Sequence, residues 1–143
     1  MSISVVYFSS SGNTQEMADA IASGIAKAGQ SANVIDVADA SVSKVCEESA
    51  FALGCSAMGD EELDDAYMEP FVSELEGKVS GKKVLLFGSY GWGDGEWMRS
   101  WCERMANAGA VLIEPEGVIC CEAPDDEATA ACEAAGRKLA ESI

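Results

Sequence analysis

The sequence contains no histidine, and its six cysteines include no C-x-x-C pair. Zinc sites that mix cysteine and histidine ligands are therefore excluded, and we predict no metal site. The adjacent Cys120 and Cys121 would point to opposite faces of a strand, so a disulfide between them would be strained. We expect most of the cysteines to be small buried apolar residues.

Basic residues are scarce, since nine lysines and arginines stand against 25 acidic residues and the formal net charge is −16. This balance disfavours nucleic acid and anionic membrane surfaces as partners, and it suits basic protein partners. The sequence also lacks a signal-peptide pattern and any apolar run of membrane-spanning length, so we expect a cytoplasmic protein. With 143 residues, 48% of them hydrophobic, we expect one domain covering residues 1–143.

Strand and helix patterns alternate along the chain. Apolar and β-branched runs predict strands at 3–8, 32–37, 50–55 and 84–88, and a fifth strand formed by 110–113 and 118–121 with an interruption at 115–117. Helical spacing follows at 13–28, 68–75, 96–108 and 125–139, with a short helix or turn at 42–46. This alternation predicts an α/β fold with a parallel sheet. Ligands of such sheets bind beyond the carboxyl ends of the strands.

A loop of small and hydroxylated residues joins the first strand to the first helix; it consists of Ser9, Ser10, Ser11, Gly12, Asn13 and Thr14. Hydroxyls and backbone N–H groups at a helix N-terminus favour an anion such as phosphate. A Walker loop requires a lysine after the glycine, and this loop has none. A dinucleotide-binding fingerprint requires several glycines, and this loop has one. Ordinary helix capping by serine and threonine is the alternative.

Two further loops follow the third and fourth strands. They are Ser56, Ala57, Met58, Gly59, Asp60 and Glu61, and then Ser89, Tyr90, Gly91, Trp92, Gly93, Asp94 and Gly95. A polarizable methionine and two aromatic residues among glycines suit the faces of a flat ring. The alternative for Met58 and Trp92 is a place in the core. Together the three loops predict a ligand with a phosphate and a planar head.

These loops, and the strand alternation over the whole chain, resemble the short-chain flavodoxins. The resemblance implies a flavodoxin-like, five-stranded parallel sheet of order 2-1-3-4-5 with helices on both faces. It also implies a monomer that binds FMN non-covalently and turns over no substrate of its own. Such a protein is a low-potential one-electron carrier, cycling between semiquinone and hydroquinone. Its partners would be reductases and acceptor oxidoreductases with basic docking patches.

The resemblance also implies roles for single residues. Hydrogen bonds to the phosphate would come from Ser9, Ser11, Asn13 and Thr14. Met58 would face the inner side of the flavin ring and Trp92 its outer side. Glu61 would accept from the flavin N3–H, and backbone groups around Gly91 would meet the pyrimidine edge.

Loop motion and surface charge are implied in the same way. The peptide between Gly59 and Asp60 would turn over on one-electron reduction and accept from N5–H, which stabilises the neutral semiquinone. Acidic residues near the exposed flavin edge would steer basic partners; they are Asp60, Glu62, Asp64, Asp65 and Asp94. The segment 121–123 lacks the amide side chains that some members carry there, so no ribityl contact is predicted for it.

Three other functions fit parts of the pattern. A small FMN-dependent NAD(P)H or quinone reductase would need longer loops for a substrate pocket. A receiver-type signalling domain would need acidic residues where the first strand ends, and this chain has serines there. A phosphate-binding module without flavin would leave Met58 and Trp92 without a role. Fold alone does not separate these functions.

Overall fold

The apolar runs of the sequence form strands, and the segments with helical spacing form helices between them. A computed structural model describes residues 2–59, 61–91 and 93–143. In chain order the elements are β1 (Ser2–Phe8), α1 (Asn13–Lys27), β2 (Ser31–Asp36), α2 (Val42–Val45), β3 (Ala50–Cys55), α3 (Met68–Leu75), β4 (Lys83–Tyr90), α4 (Glu96–Asn107), β5 (Val111–Leu112), β6 (Val118–Cys121) and α5 (Asp126–Glu141). Among the helices of this described part, none is both long and apolar enough to cross a membrane.

The strands form a parallel sheet of order β2-β1-β3-β4-β5, with β6 also beside β4. β5 pairs with the start of β4, and β6 pairs with its end. The two short strands therefore share the fifth position, as the interrupted pattern predicts. The interruption is a turn, in which the N–H of Gly117 donates to the carbonyl of Glu114 at 2.9 Å. The predicted α/β class and strand order are confirmed.

The sheet separates two apolar cores, because successive side chains of a strand point to opposite faces. Val5 packs in the core beneath α1 and α5, whereas Val6 packs in the core beneath α3 and α4. All six residues of β3 are buried, as expected for a central strand covered on both faces. The helices lie on both faces of the sheet, as predicted.

Two glycines allow α1 and α5 to pack closely. A Cβ on Gly24 of α1 would lie 2.0 Å from the carbonyl oxygen of Glu133, and one on Gly136 of α5 would lie 2.2 Å from that of Ile21. Each glycine thus faces the backbone of the other helix. A glycine inside a helix costs about 1 kcal/mol relative to alanine, and here the close packing compensates for that cost.

We expect Gly136→Ala to destabilise the protein. The added methyl group would push α5 away from α1, which should lower the free energy of unfolding by about 1–3 kcal/mol despite the better helix propensity of alanine. Gly77→Ala is the control, because a Cβ there meets no atom within 4 Å and should change stability by less than about 0.5 kcal/mol. Urea denaturation measures both. A stabilising Gly136→Ala would contradict the packing argument.

Candidate cofactor site

The three loops meet at the carboxyl ends of the strands and enclose a cavity of about 350 Å³. Its lining includes eight of the predicted site residues, which are Ser10, Ser11, Asn13, Ser56, Ala57, Ser89, Tyr90 and Gly91. The first two loops follow the neighbouring strands β1 and β3, and the chain leaves these strands toward opposite edges of the sheet. Parallel α/β sheets bind ligands at such a switch point.

The first loop presents unpaired donors to this cavity. The hydroxyl of Ser9 accepts from the N–H of Gly12 at 3.0 Å and of Gln15 at 3.3 Å, which folds the loop back on the start of α1. Among the described residues, the backbone N–H groups of Ser11, Asn13 and Thr14 donate to no acceptor. Unpaired N–H groups at the start of a 15-residue helix bind anions well.

Buried hydroxyls tie the three loops together. Thr14 is fully buried, and its hydroxyl lies 2.8 Å from that of Ser56 and accepts from the N–H of Ser89 at 3.2 Å. The Ser56 hydroxyl also accepts from the N–H of Ser10 at 3.3 Å. The Thr14 hydroxyl is therefore hydrogen-bonded to the second and third loops. Its predicted contact with the phosphate stays a prediction. Each hydroxyl holds the wall of the cavity in place.

We expect Thr14→Val to destabilise the protein by about 1–3 kcal/mol, because the isosteric change leaves the buried Ser89 N–H and Ser56 hydroxyl without this partner. The half-buried Thr129 on α5 provides the control. Thr129→Val should shift the free energy of unfolding by less than about 0.5 kcal/mol. Denaturant titration followed by circular dichroism checks the pair, and equal small effects would show that the buried hydroxyl network is unimportant.

The second loop forms a tight turn. Met58 and Glu62 exchange two backbone hydrogen bonds, of 2.9 and 2.8 Å, and Gly59 and Glu61 between them adopt positive φ values of 50° and 57°. Met58 is half-buried, whereas Gly59 is exposed. The predicted role of Asp60 falls outside the described residues. Ser56 and Ala57, which lie between β3 and this turn, line the cavity.

The third loop contains Tyr90, whose ring packs against a buried tryptophan. The Tyr90 ring lies 5.6 Å from that of Trp97, at an angle of 52°. Trp97 is 2% exposed, and its indole N–H donates to the carbonyl of Cys55 at 3.1 Å. The predicted role of Trp92 falls outside the described residues, while its neighbours Gly91 and Gly93 are exposed. The third loop therefore combines Tyr90, an aromatic residue packed against Trp97, with two exposed glycines, Gly91 and Gly93.

Glu122 is a lining residue for which the sequence predicted no contact. It follows β6, has a φ of 60°, donates its N–H to the Tyr90 carbonyl at 2.7 Å and accepts from the Ser89 hydroxyl at 2.6 Å. These bonds bring it to the cavity wall. The sequence does carry one signal for Glu122, namely its position directly after the last parallel strand. All parallel strands end at the same edge of the sheet, where the cavity lies.

The expectation that Asp64 belongs to the exposed acids near the flavin edge is wrong. Asp64 is 6% exposed, and its carboxylate accepts from the N–H groups of Tyr67 at 2.7 Å and Met68 at 3.0 Å. It caps the start of α3. The signal in the sequence is an aspartate shortly before a helical pattern, which is a common capping position. Glu62, Asp65 and Asp94 are exposed.

Positive charge near the cavity is neutralised. Among the described residues, those that line the cavity include Glu122 but no lysine or arginine. Arg99, in the first turns of α4, binds the carboxylates of Asp94 at 2.9 Å and Glu96 at 2.8 Å. Hydrogen bonds to Asp94 and then Glu96 raise the pKa of the Arg99 guanidinium. An anion in this cavity would therefore meet neutral donors and acidic neighbours.

Two buried thiols, those of Cys55 and Cys102, are shielded from solvent. All six cysteines are free, and three of them are buried. Burial raises the pKa of Cys55, at the end of β3, to about 12 and that of Cys102, on α4, to about 11. Because the thiolate is the reactive form, these two cysteines are inert near neutral pH.

The cavity has the chemistry that FMN requires. Neutral N–H and hydroxyl donors at the start of α1 suit a phosphate, and the Tyr90 wall with the open Gly91 segment beside it suits the edge of a planar ring. The two features lie in one cavity, so one ligand can contact both.

Comparison with known proteins agrees with this chemistry. The family model for flavodoxin matches residues 5–136. The chain is 47% identical to a flavodoxin of Clostridium beijerinckii over 95% of this chain and 97% of the relative, and 45% identical to one of Megasphaera elsdenii over 78% and 81%. The solution structure of two-electron reduced Megasphaera elsdenii flavodoxin superposes with a TM-score of 0.86 at 40% identity, covering 99% of both chains. This chain therefore belongs to the flavodoxin family and is an FMN-binding electron-transfer protein.

Proposed function

We propose that this protein is a low-potential one-electron carrier between redox proteins. FMN supplies the redox chemistry when bound, and the chain binds it, orients it and sets its potential. The reductase alternative is not favoured, because flavodoxins match this chain over almost the full length of both proteins. The observation that carries the proposal is the cavity itself, which brings the unpaired donors of the first loop and the aromatic Tyr90 together and, among its described lining residues, includes no lysine or arginine.

The binding roles follow from the groups that the structure leaves available. We assign the phosphate to the N–H groups of Ser11, Asn13 and Thr14 together with the exposed Ser10 and Ser11 hydroxyls. These donors have no acceptor within the described part of the chain, so the oxygens of a phosphate would accept their hydrogen bonds. Ser9 and Gly12 support this site by shaping the loop.

We assign the ring to the second and third loops. In the sequence, Met58 directly follows the lining residue Ala57 and Trp92 directly follows the lining residue Gly91, so these two side chains are our candidates for contact with the ring faces. Among the described residues, the Oε1 atom of Glu61 accepts two N–H groups of α4 and its Oε2 atom accepts none. Oε2 is therefore available for the N3–H of the ring.

The charge distribution supports a low potential. Fully reduced FMN carries an additional negative charge, and the Glu122 carboxylate together with a net charge of −16 opposes it. The nearby Arg99 does not compensate, because Asp94 and Glu96 neutralise it. The second electron is consequently harder to add than it would be beside a free cation.

An anaerobic reductive titration of the purified protein tests this function. We expect denaturation to release FMN, and reduction to proceed in two separate one-electron steps. A protein that carries no FMN would contradict the assignment of the cavity. Reduction in a single two-electron step, coupled to oxidation of NAD(P)H, would instead support the reductase.

We expect Glu122→Gln to raise the potential of the second step by about 20–40 mV, because it removes one negative charge from the cavity wall. Glu141→Gln removes the same charge at the far end of α5 and serves as the matched control. Spectroelectrochemical titration of both variants measures the shift. Equal shifts would show that only the net charge matters.

Three helices carry acidic residues in their first turns and a basic residue in their last turns. Their first turns lie near the cavity and carry Glu16, Glu96 and Asp126, whereas Lys27, Arg104 and Lys138 lie in last turns. This order also complements the helix dipoles. The acidic end would attract a basic patch on a reductase or an acceptor oxidoreductase.

Such attraction should depend on salt. We expect the second-order rate of electron transfer to a basic redox protein to fall steeply as ionic strength rises from 10 to 200 mM. Stopped-flow kinetics with a basic cytochrome provides the measurement, and an acidic redox protein of similar potential provides the control. A rate independent of salt for the basic partner would contradict electrostatic docking.

We also propose that residues 1–143 act as one cytoplasmic domain and as a monomer. Six free thiols suit a reducing compartment. One sheet contributes to both apolar cores, which suits a single folding unit. Sedimentation equilibrium measures the oligomeric state directly.

A further inference from the structure

Glu61 adopts a backbone conformation that must be held by other interactions. Its φ is 57°, in the left-handed region, which an L-residue with a long side chain rarely occupies. The two hydrogen bonds between Met58 and Glu62 close the turn around it. These two bonds lie within the turn and do not connect it to the rest of the site. The side chain of Glu61 makes that connection.

The Glu61 carboxylate provides the N-terminal cap of α4. Its Oε1 atom accepts from the N–H of Gly95 at 3.0 Å and of Glu96 at 3.1 Å, from 34 and 35 residues away. Gly95 occupies the cap position of α4 and has no side chain to serve this purpose. A carboxylate at a helix N-terminus is favoured both by the N–H groups and by the helix dipole. The second loop thus supplies the cap that the third loop lacks.

Gly93 makes space for this cap. A Cβ on Gly93 would lie 2.5 Å from the Cδ of Glu61 and 2.6 and 2.8 Å from its two carboxylate oxygens. These distances are far below a van der Waals contact, so any side chain at 93 would displace the carboxylate from the start of α4. Gly93 also has a φ of 86°, which glycine adopts without strain.

We propose that Glu61 and Gly93 form a latch that joins the second loop to the third before FMN binds. Gly93 is a positioning residue, because its missing Cβ leaves room for the carboxylate, and the carboxylate holds the turn of residues 58–62 against α4. The latch preorganises the ring side of the cavity. Its importance for cofactor binding rests on the proposed function, whereas the latch itself is a property of the protein without FMN.

A double-mutant cycle in the full chain tests the latch, with thermal unfolding of the FMN-free protein as the readout. We expect Gly93→Ala to lower the Tm well beyond the effect of Gly29→Ala. Gly29 is the matched control because it has a φ of 89° and a Cβ there meets no atom within 4 Å. In a Glu61→Ala background, Gly93→Ala should lower the Tm only as much as Gly29→Ala does, since the carboxylate is gone.

Two outcomes would overturn the latch. One is an equal loss of Tm for Gly93→Ala and Gly29→Ala in the parent chain. The other is strict additivity of Gly93→Ala and Glu61→Ala. If Gly93→Ala alone does not fold, the latch predicts that adding Glu61→Ala restores folding, and failure to restore it would count against the clash.

FMN binding provides the second readout. We expect Gly93→Ala to weaken FMN binding at least tenfold, and Gly29→Ala to leave it within twofold, as measured by quenching of flavin fluorescence. Unchanged affinity in Gly93→Ala, together with a coupled loss of Tm, would overturn only the preorganising role. If the parent protein binds no FMN, the proposed function fails, and the cycle in the FMN-free protein still decides whether the latch exists.

Discussion

The N–H groups at the start of α1 need an acceptor that the described protein does not provide. Ser9 satisfies the groups of Gly12 and Gln15, but those of Ser11, Asn13 and Thr14 remain open. Helices usually satisfy such groups with a side-chain cap or water. Here the cap position is Gly12, which has no side chain. In the proposed function the phosphate of the ligand accepts from these groups, and the first loop places them beside the cavity.

The polar side chains of the site are largely committed to one another. Thr14 links Ser56 and Ser89, Ser89 also binds Glu122, and Glu61 caps α4. These bonds join loops that are far apart in sequence. A site built in this way pays less of the cost of ordering when a ligand binds, because its walls are already in place. Backbone groups and exposed hydroxyls are left to make the contacts with the ligand.

The charge of the protein serves both its potential and its partners. Acidic residues in the first turns of α1, α4 and α5 complement the dipoles of these helices. Arg99 neutralises two of these acids and is neutralised by them, so it contributes to the local structure and not to compensation of an anionic ligand. Under the proposed function, one pattern of charge therefore acts on stability, reduction potential and association.

Local patterns predicted the fold almost completely. Alternating runs predicted every strand, including the break before β6, because periodicity and turn residues depend on neighbouring residues alone. The three ligand loops were visible for the same reason, and eight of their residues line the cavity. By itself, then, the sequence determined which segments are strands, helices and ligand loops. The tertiary structure decided which side chains remain available, since capping of α4 by Glu61 and the approach of Glu122 to Ser89 depend on contacts between distant segments. Such contacts arise only when the chain has folded, because the geometry of the sheet brings those segments together.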